Sequence, residues 1–202
     1  MDVLDALEPI CILGGQDTTA EDELMKVNMA RAAVGKKLKK KKKSTQSTQL
    51  KPGSHTEAIM ALSWNKVHRQ VIASGSADTT VKIWDITQAG SKDCAPAATF
   101  SHHGDKVNAV EWHPSEGTLL ASGSFDRTVA LLDVRSNNGS VKTSRLPGDC
   151  EAIAWDPFNE QFLTAASEDG TITCWDVRKF SEPYWSFVAH EFGGVSDFSY
   201  NT

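Results

Sequence analysis

The chain has 202 residues, 40% hydrophobic and 23% charged, the composition of a folded globular protein and not of a disordered one. Its net charge of −5 hides an uneven distribution: residues 1–35 hold seven acids and two bases, residues 36–43 seven lysines and no acid, and residues 44–202 nineteen acids and twelve bases. No apolar run approaches the roughly 18 residues of a membrane span, and Asp2 and Asp5 stand where a signal peptide would be basic, so the sequence predicts a protein neither secreted nor membrane-embedded.

In chain order, Met1 to Leu13 reads as a short strand after a proline, and residues 14–53 as an insert. Within the insert, Thr18 and Glu21 form a capping box, and Glu21, Asp22 and Glu23 crowd the first turn. Leu24, Val27, Arg31 and Val34 recur at helical spacing and Gly35 is a stop, which predicts a helix over residues 19–34. Lys36, Lys37, Lys39, Lys40, Lys41, Lys42 and Lys43 follow, and then a Ser/Thr/Gln linker. Like charges so closely spaced repel one another and are expected to be solvated. Such a run suits a nuclear or nucleolar import signal, with nonspecific RNA-phosphate contact as its companion.

Beyond the insert the sequence repeats. Trp64, Trp112 and Trp155 stand 48 and 43 residues apart, and the same offsets from each reach Asp78, Asp126 and Asp169, then Val81, Val129 and Ile172, then Asp85, Asp133 and Asp176. In the first block, Ile59 to Trp64, Val71 to Ser76, Thr80 to Trp84 and Ala97 to Phe100 are short β-branched or apolar runs separated by turn signals. Four short strands per repeat of about 45 residues make one blade of a β-propeller. The polar/apolar alternation is weak, as expected where neighbouring blades cover both faces.

Trp84-Asp85 and Trp175-Asp176, preceded by Ser74-Gly75-Ser76-Ala77-Asp78 and by His55, resemble WD40 repeats over residues 54–188. The resemblance implies an all-β, incomplete propeller of about three blades with partial flanking strands and a helical, polylysine insert. It divides the chain into residues 1–13 (end of a preceding blade), 14–53 (insert), repeats at 54–101, 102–145 and 146–188, and 189–202 (start of a further repeat). It also implies a His, Ser/Thr, Asp and Trp tetrad that ties each blade together. The first repeat has the full set, His55, Ser74, Asp78 and Trp84. The second keeps His103, Ser122 and Asp126 but has Leu132 for the tryptophan; the third keeps Asp169 and Trp175 but has Leu146 and Ala165 at the other places. The first blade is therefore expected to be the most strongly specified.

Ser, His and Asp are also the parts of a hydrolase triad. Here the Asp recurs in all three blocks, the set degrades gradually, and Ser74 lies mid-strand in Ile-Ala-Ser-Gly-Ser instead of on an exposed elbow, which favours scaffolding. The six tryptophans, five on repeat positions and Trp185 in the predicted outer strand, are expected to be core. His102 reads as a neighbour of the repeat histidine. If His55 reaches Asp78, the turn residues Ala77, Phe125 and Glu168 share the propeller end from which the lysine arm leaves, and an exposed Phe125 would suit a partner anchor.

His-His-Gly-Asp-Lys-Val, then Ser-Phe-Asp-Arg-Thr-Val-Ala-Leu-Leu-Asp, together with the lysine insert, are similar to a ribosome-biogenesis branch of the WD40 family. That similarity implies a non-catalytic scaffold for pre-ribosomal RNA processing and large-subunit assembly in the nucleolus, with protein partners in pre-ribosomal particles and no cofactor, membrane or small-molecule substrate. A chromatin-associated adaptor is an alternative. So is a substrate receptor of a cullin-type ubiquitin ligase, because Trp175, Asp176 and Arg178 resemble an adaptor-docking box. For an enzyme there is no metal cluster, phosphate loop or convergent carboxylate pair in the sequence. Cys11, Cys94, Cys150 and Cys174 lie far apart with no Cys-x-x-Cys pair, which predicts reduced thiols and neither a zinc knuckle nor a disulfide framework.

Overall fold

The computed structural model describes residues 50–88, 95–135 and 140–201. The predicted strand over residues 1–13, the helix over 19–34 and the seven lysines lie outside the described residues.

Twelve strands form three antiparallel four-stranded sheets. The first holds β1 (Ile59–Trp64), β2 (Val71–Ser76), β3 (Val81–Asp85) and β4 (Ala98–Phe100). The second holds β5 (Val107–Trp112), β6 (Leu119–Ser124), β7 (Thr128–Asp133) and β8 (Ser140–Arg145), and the third β9 (Cys150–Trp155), β10 (Phe162–Ser167), β11 (Thr171–Asp176) and β12 (Trp185–Val188). Each sheet is a simple meander in chain order, with β1, β5 and β9 innermost. The sheets are three successive blades of an open propeller arc. β3 begins one residue later than its apolar run suggests, because the ladder with the short β4 starts at Val81 opposite Phe100, whereas the equivalent Thr128 and Thr171 pair with Arg145 and Val188 on their fourth strands.

The core lies in the seams between blades. Ala73, Val81 and Ile83 of the first blade meet Val107, Val110, Trp112, Leu120, Ala130 and Leu132 of the second. The opposite face of the second blade, with Ala121, Val129 and Leu131, meets Trp155, Leu163, Ala165 and Trp175 of the third. Alternate residues of β7 thus bury into different seams, and Val129 to Leu132 are buried without a break. Non-polar contact on both faces accounts for the missing alternation.

Close blade approach depends on two glycines of the Ser-Gly-Ser runs. A Cβ at Gly75 would lie 2.8 Å from Val107 Cγ1, and one at Gly123 would lie 2.3 Å from Cys150 Sγ. The inner strand of each following blade therefore sits where a side chain would otherwise be. The turns between second and third strands place Thr79, Arg127 and Gly170 at the same repeat position, each with positive φ (68°, 64° and 88°).

The tryptophans divide. Trp84, Trp112, Trp155 and Trp175 are buried, but Trp64 is 57% and Trp185 38% exposed, which corrects the expectation that all six are core. Trp112 and Trp155 are covered by the blade before them. Trp64 is on the face of the first blade turned away from the second, and Trp185 is on the outermost strand of the third, where it stacks on Phe187 at 5.5 Å.

Candidate functional site

The loop before β1, the middle of β2, the β2–β3 turn and β3 converge on one hydrogen-bonded chain. Trp84 Nε1 donates to Ser74 Oγ at 2.8 Å, and Ser74 Oγ lies 2.7 Å from His55 Nε2. His55 Nδ1 is 2.8 Å from Asp78 Oδ2. An ionised Asp78 can only accept, so His55 carries its proton on Nδ1 and takes a hydrogen bond from the Ser74 hydroxyl on Nε2. Burial lowers the His55 pKa, although Asp78 pulls the other way, and keeps the ring neutral. Burial alone would raise Asp78, but donors on Thr80, His55 and Thr56 outweigh it and bring its pKa down to about 2.

The second blade repeats the geometry with a substitute. His103 Nε2 lies 2.8 Å from Ser122 Oγ, and His103 Nδ1 lies 3.0 Å from Asp126 Oδ2. Leu132 has no N–H to offer Ser122. His102 Nε2, 3.1 Å from Ser122 Oγ, fills that place, with its ring 4.2 Å from the ring of His103. His102 is thus more than a bystander to the repeat histidine, which corrects the sequence reading. Burial, and then the neighbouring His103, push its pKa down to about 4.

The third blade does not join its two remaining members. Asp169 accepts from the Ser167 hydroxyl and from Thr171, and Trp175 Nε1 is buried without a partner. Leu146 and Ala165, both buried and apolar, stand at the other two tetrad places and provide no relay between the aspartate and the indole. What all three blades share is the Asp–Thr turn: Asp78 with Thr80, Asp126 with Thr128, and Asp169 with Thr171.

Ser74 and Ser122 are fully buried, with their hydroxyls committed inside the tetrads. A nucleophile so placed has no path to a substrate, so the chemistry of this Ser-His-Asp set is mechanical. Among the described residues, no group of His, Cys, Asp and Glu could hold a metal ion. Cys150 is buried and its thiol is pushed by burial up to about 12, which makes it unreactive.

Ala77, Phe125 and Glu168 occupy equivalent turns, each closed by a backbone bond to the loop leading into the first strand of its blade: Ala77 N to Ala58 O, Phe125 N to Lys106 O, and Glu168 N to Asp149 O. Ala77 and Phe125 are half-buried and Glu168 is exposed. At the opposite end of the strands, Arg178 Nη2 pairs with Asp176 Oδ2 at 2.5 Å, beside the buried Trp175. Arg135 Nη2 pairs with Asp133 Oδ2 at 2.6 Å in the same way in the second blade. This Asp-x-Arg clasp is a recurring strand-end turn, which weakens its reading as a dedicated docking box.

Four-stranded meanders packed through Trp-bearing seams and pinned by His-Ser-Asp tetrads define a β-propeller repeat protein. The chain belongs to the WD40 family: the family model for the WD domain, G-beta repeat, matches residues 45–85, 94–133 and 140–176. It is 39% identical over 201 residues to a WD repeat-containing protein of Schizosaccharomyces pombe, covering 100% of this chain and 34% of the relative. It is 29% identical over 146 residues to the Periodic tryptophan protein 1 homolog of Drosophila melanogaster, covering 70% of this chain and 31% of the relative. It is 28% identical over 155 residues to the Ribosome biogenesis protein WDR12 homolog of Nematostella vectensis, covering 75% of this chain and 35% of the relative. The chain spans about a third of the length of these curated relatives.

Proposed function

We propose that this chain is part of a non-catalytic WD40 scaffold for ribosome biogenesis, acting in the nucleolus on large-subunit precursors and pre-ribosomal RNA processing. The observation that carries the reading is similarity, over seven-tenths or more of the chain, to the Periodic tryptophan protein 1 homolog and to a relative named for ribosome biogenesis. The burial of every tetrad hydroxyl supports a binding role over a catalytic one. In this reading Lys36, Lys37 and Lys39 to Lys43 supply nuclear import and nonspecific contact with RNA phosphates. Protein partners in pre-ribosomal particles meet the turn face of Ala77, Phe125 and Glu168. Residues 1–13 end a preceding blade and residues 189–202 open a further one.

The test is localisation and sedimentation of the tagged protein. It should accumulate in the nucleolus and co-sediment with precursors of the large ribosomal subunit. Replacing the seven lysines with glutamine should reduce nucleolar accumulation and leave the β-rich circular dichroism unchanged. A cytoplasmic protein that never enters those particles would overturn the proposal.

A further inference from the structure

The two seams between blades are closed by the same device with different chemistry. In the first seam, the residue before Trp64 reaches across: Ser63 Oγ accepts from the backbone N–H of Trp112 at 3.1 Å. In the second, the residue before Trp112 does the same: Glu111 Oε2 accepts from the backbone N–H of Trp155 at 3.1 Å, and the Glu111 carbonyl accepts from Trp155 Nε1 at 3.2 Å. Trp155 is thus held to the second blade at both ends of one residue. A neutral hydroxyl suffices at the first seam, whereas the second uses an ionisable group set between packed sheets.

The surroundings of that carboxyl are sparse in positive charge. From the first blade, the Lys66 ammonium faces it; from its own strand, Asn108, which is engaged on the Glu151 carbonyl and carboxylate. From the third blade, Glu151 lies along the same recess, and Asp197 and Tyr200 approach from the chain that follows it. Tyr200 is bonded through its hydroxyl to Thr164 at 2.6 Å. One exposed lysine therefore opposes two further carboxylates.

We propose that Glu111 makes the seam between the second and third blades proton-sensitive: the packed seam is favoured when the carboxyl is neutral and disfavoured when it is ionised, because desolvating the charge between two further carboxylates outweighs its stronger hydrogen bond from Trp155. Burial pushes the Glu111 carboxyl up to about 7, against the opposing effects of the Trp155 N–H and Lys66. In an unfolded chain the same group loses its proton near pH 4.5. Between those values the folded chain binds the extra proton, so folding weakens as pH rises towards and through 7. Glu151, raised by burial and by Glu168 and Asp149, moves in the same direction.

The experiment compares the full chain with Glu111→Gln, which keeps an acceptor for Trp155 and removes the titration. From pH 6 to pH 8 the folding equilibrium of the unmodified chain should weaken about tenfold more than that of the variant. Removing the opposing ammonium in Lys66→Ala should shift the inflection to higher pH. A carbon-13 titration of the Glu111 carboxyl, which needs no variant, should give a midpoint well above that of an ordinary glutamate. Identical pH profiles for the chain and Glu111→Gln, or a carboxyl midpoint below about 5, would overturn the proposal.

Discussion

A single hydroxyl decides whether a tetrad works. Ser74 takes the Trp84 N–H and serves His55 at the same time, so Ser74→Ala strands two buried polar groups. Each unsatisfied group costs about 1–3 kcal/mol, which predicts a loss of roughly 2–4 kcal/mol in urea unfolding. The third blade provides the reverse experiment. Ala165 occupies the place of Ser74, and Trp175 Nε1 beside it is buried without a partner. Ala165→Ser should therefore stabilise the chain by about 0.5–1 kcal/mol, because the new hydroxyl accepts from the indole and, with no histidine at this blade to take its proton, can donate to the Thr173 carbonyl opposite it. A stability loss in Ala165→Ser would mean that the seam tolerates no added atom and that packing outweighs hydrogen bonding there.

At the scale of the blade, the second repeat retains its tether by recruiting a neighbour. His102 does for Ser122 what an indole does for Ser74, and burial keeps its ring neutral, with a pKa pushed down to about 4 from the ordinary 6.5. Between those values the unfolded chain binds a proton that the folded chain refuses. The stability His102 contributes is thus complete above pH 6.5 and lost as pH falls towards 4, by on the order of 3 kcal/mol. His102→Ser, the residue that Ser54 provides in the first blade, should cost about 1 kcal/mol at pH 7 and flatten the acid limb of stability between pH 6.5 and 4. Urea titrations at pH 7 and pH 5 measure both effects. The blade itself was legible in the sequence, because the Trp-to-Asp offsets and short β-branched runs record strand length and turn position directly. His102 was not, since nothing in residue spacing shows that a histidine beside the repeat position turns inward when the tryptophan becomes Leu132. Nor was the need for Gly75 and Gly123, which answers to the following blade and not to their own. Register errors were small and physical: Thr80 looks like strand by composition but lies beyond the end of its short partner β4, whose ladder starts at Val81 opposite Phe100.

At the scale of the whole molecule, equivalent residues differ because their neighbours differ. Trp112 and Trp155 are 3% and 5% exposed, each bonded to the blade before it, whereas Trp64 at the same repeat position is 57% exposed and donates its indole N–H within its own blade, to the Arg69 carbonyl at 2.7 Å. Ile59 and Leu62, at the repeat positions of the seam residues Val107 and Val110, are exposed with it, an apolar face of the kind that drives association when uncovered. Repeat periodicity could report that Trp64 is a seam residue but not whether a seam forms around it. The energetic consequence is a split between sequence-equivalent positions. Trp112→Ala should cost this chain about 3–5 kcal/mol, as expected for a buried aromatic, and Trp64→Ala less than about 1 kcal/mol, because little of its surface leaves water. Replacing Leu62 and Trp64 together by lysine should also reduce self-association measured by light scattering, without lowering the urea midpoint. Equal losses at Trp64 and Trp112 would show that the first blade's outer face is already covered, and the proposed preceding blade would then have to pack elsewhere.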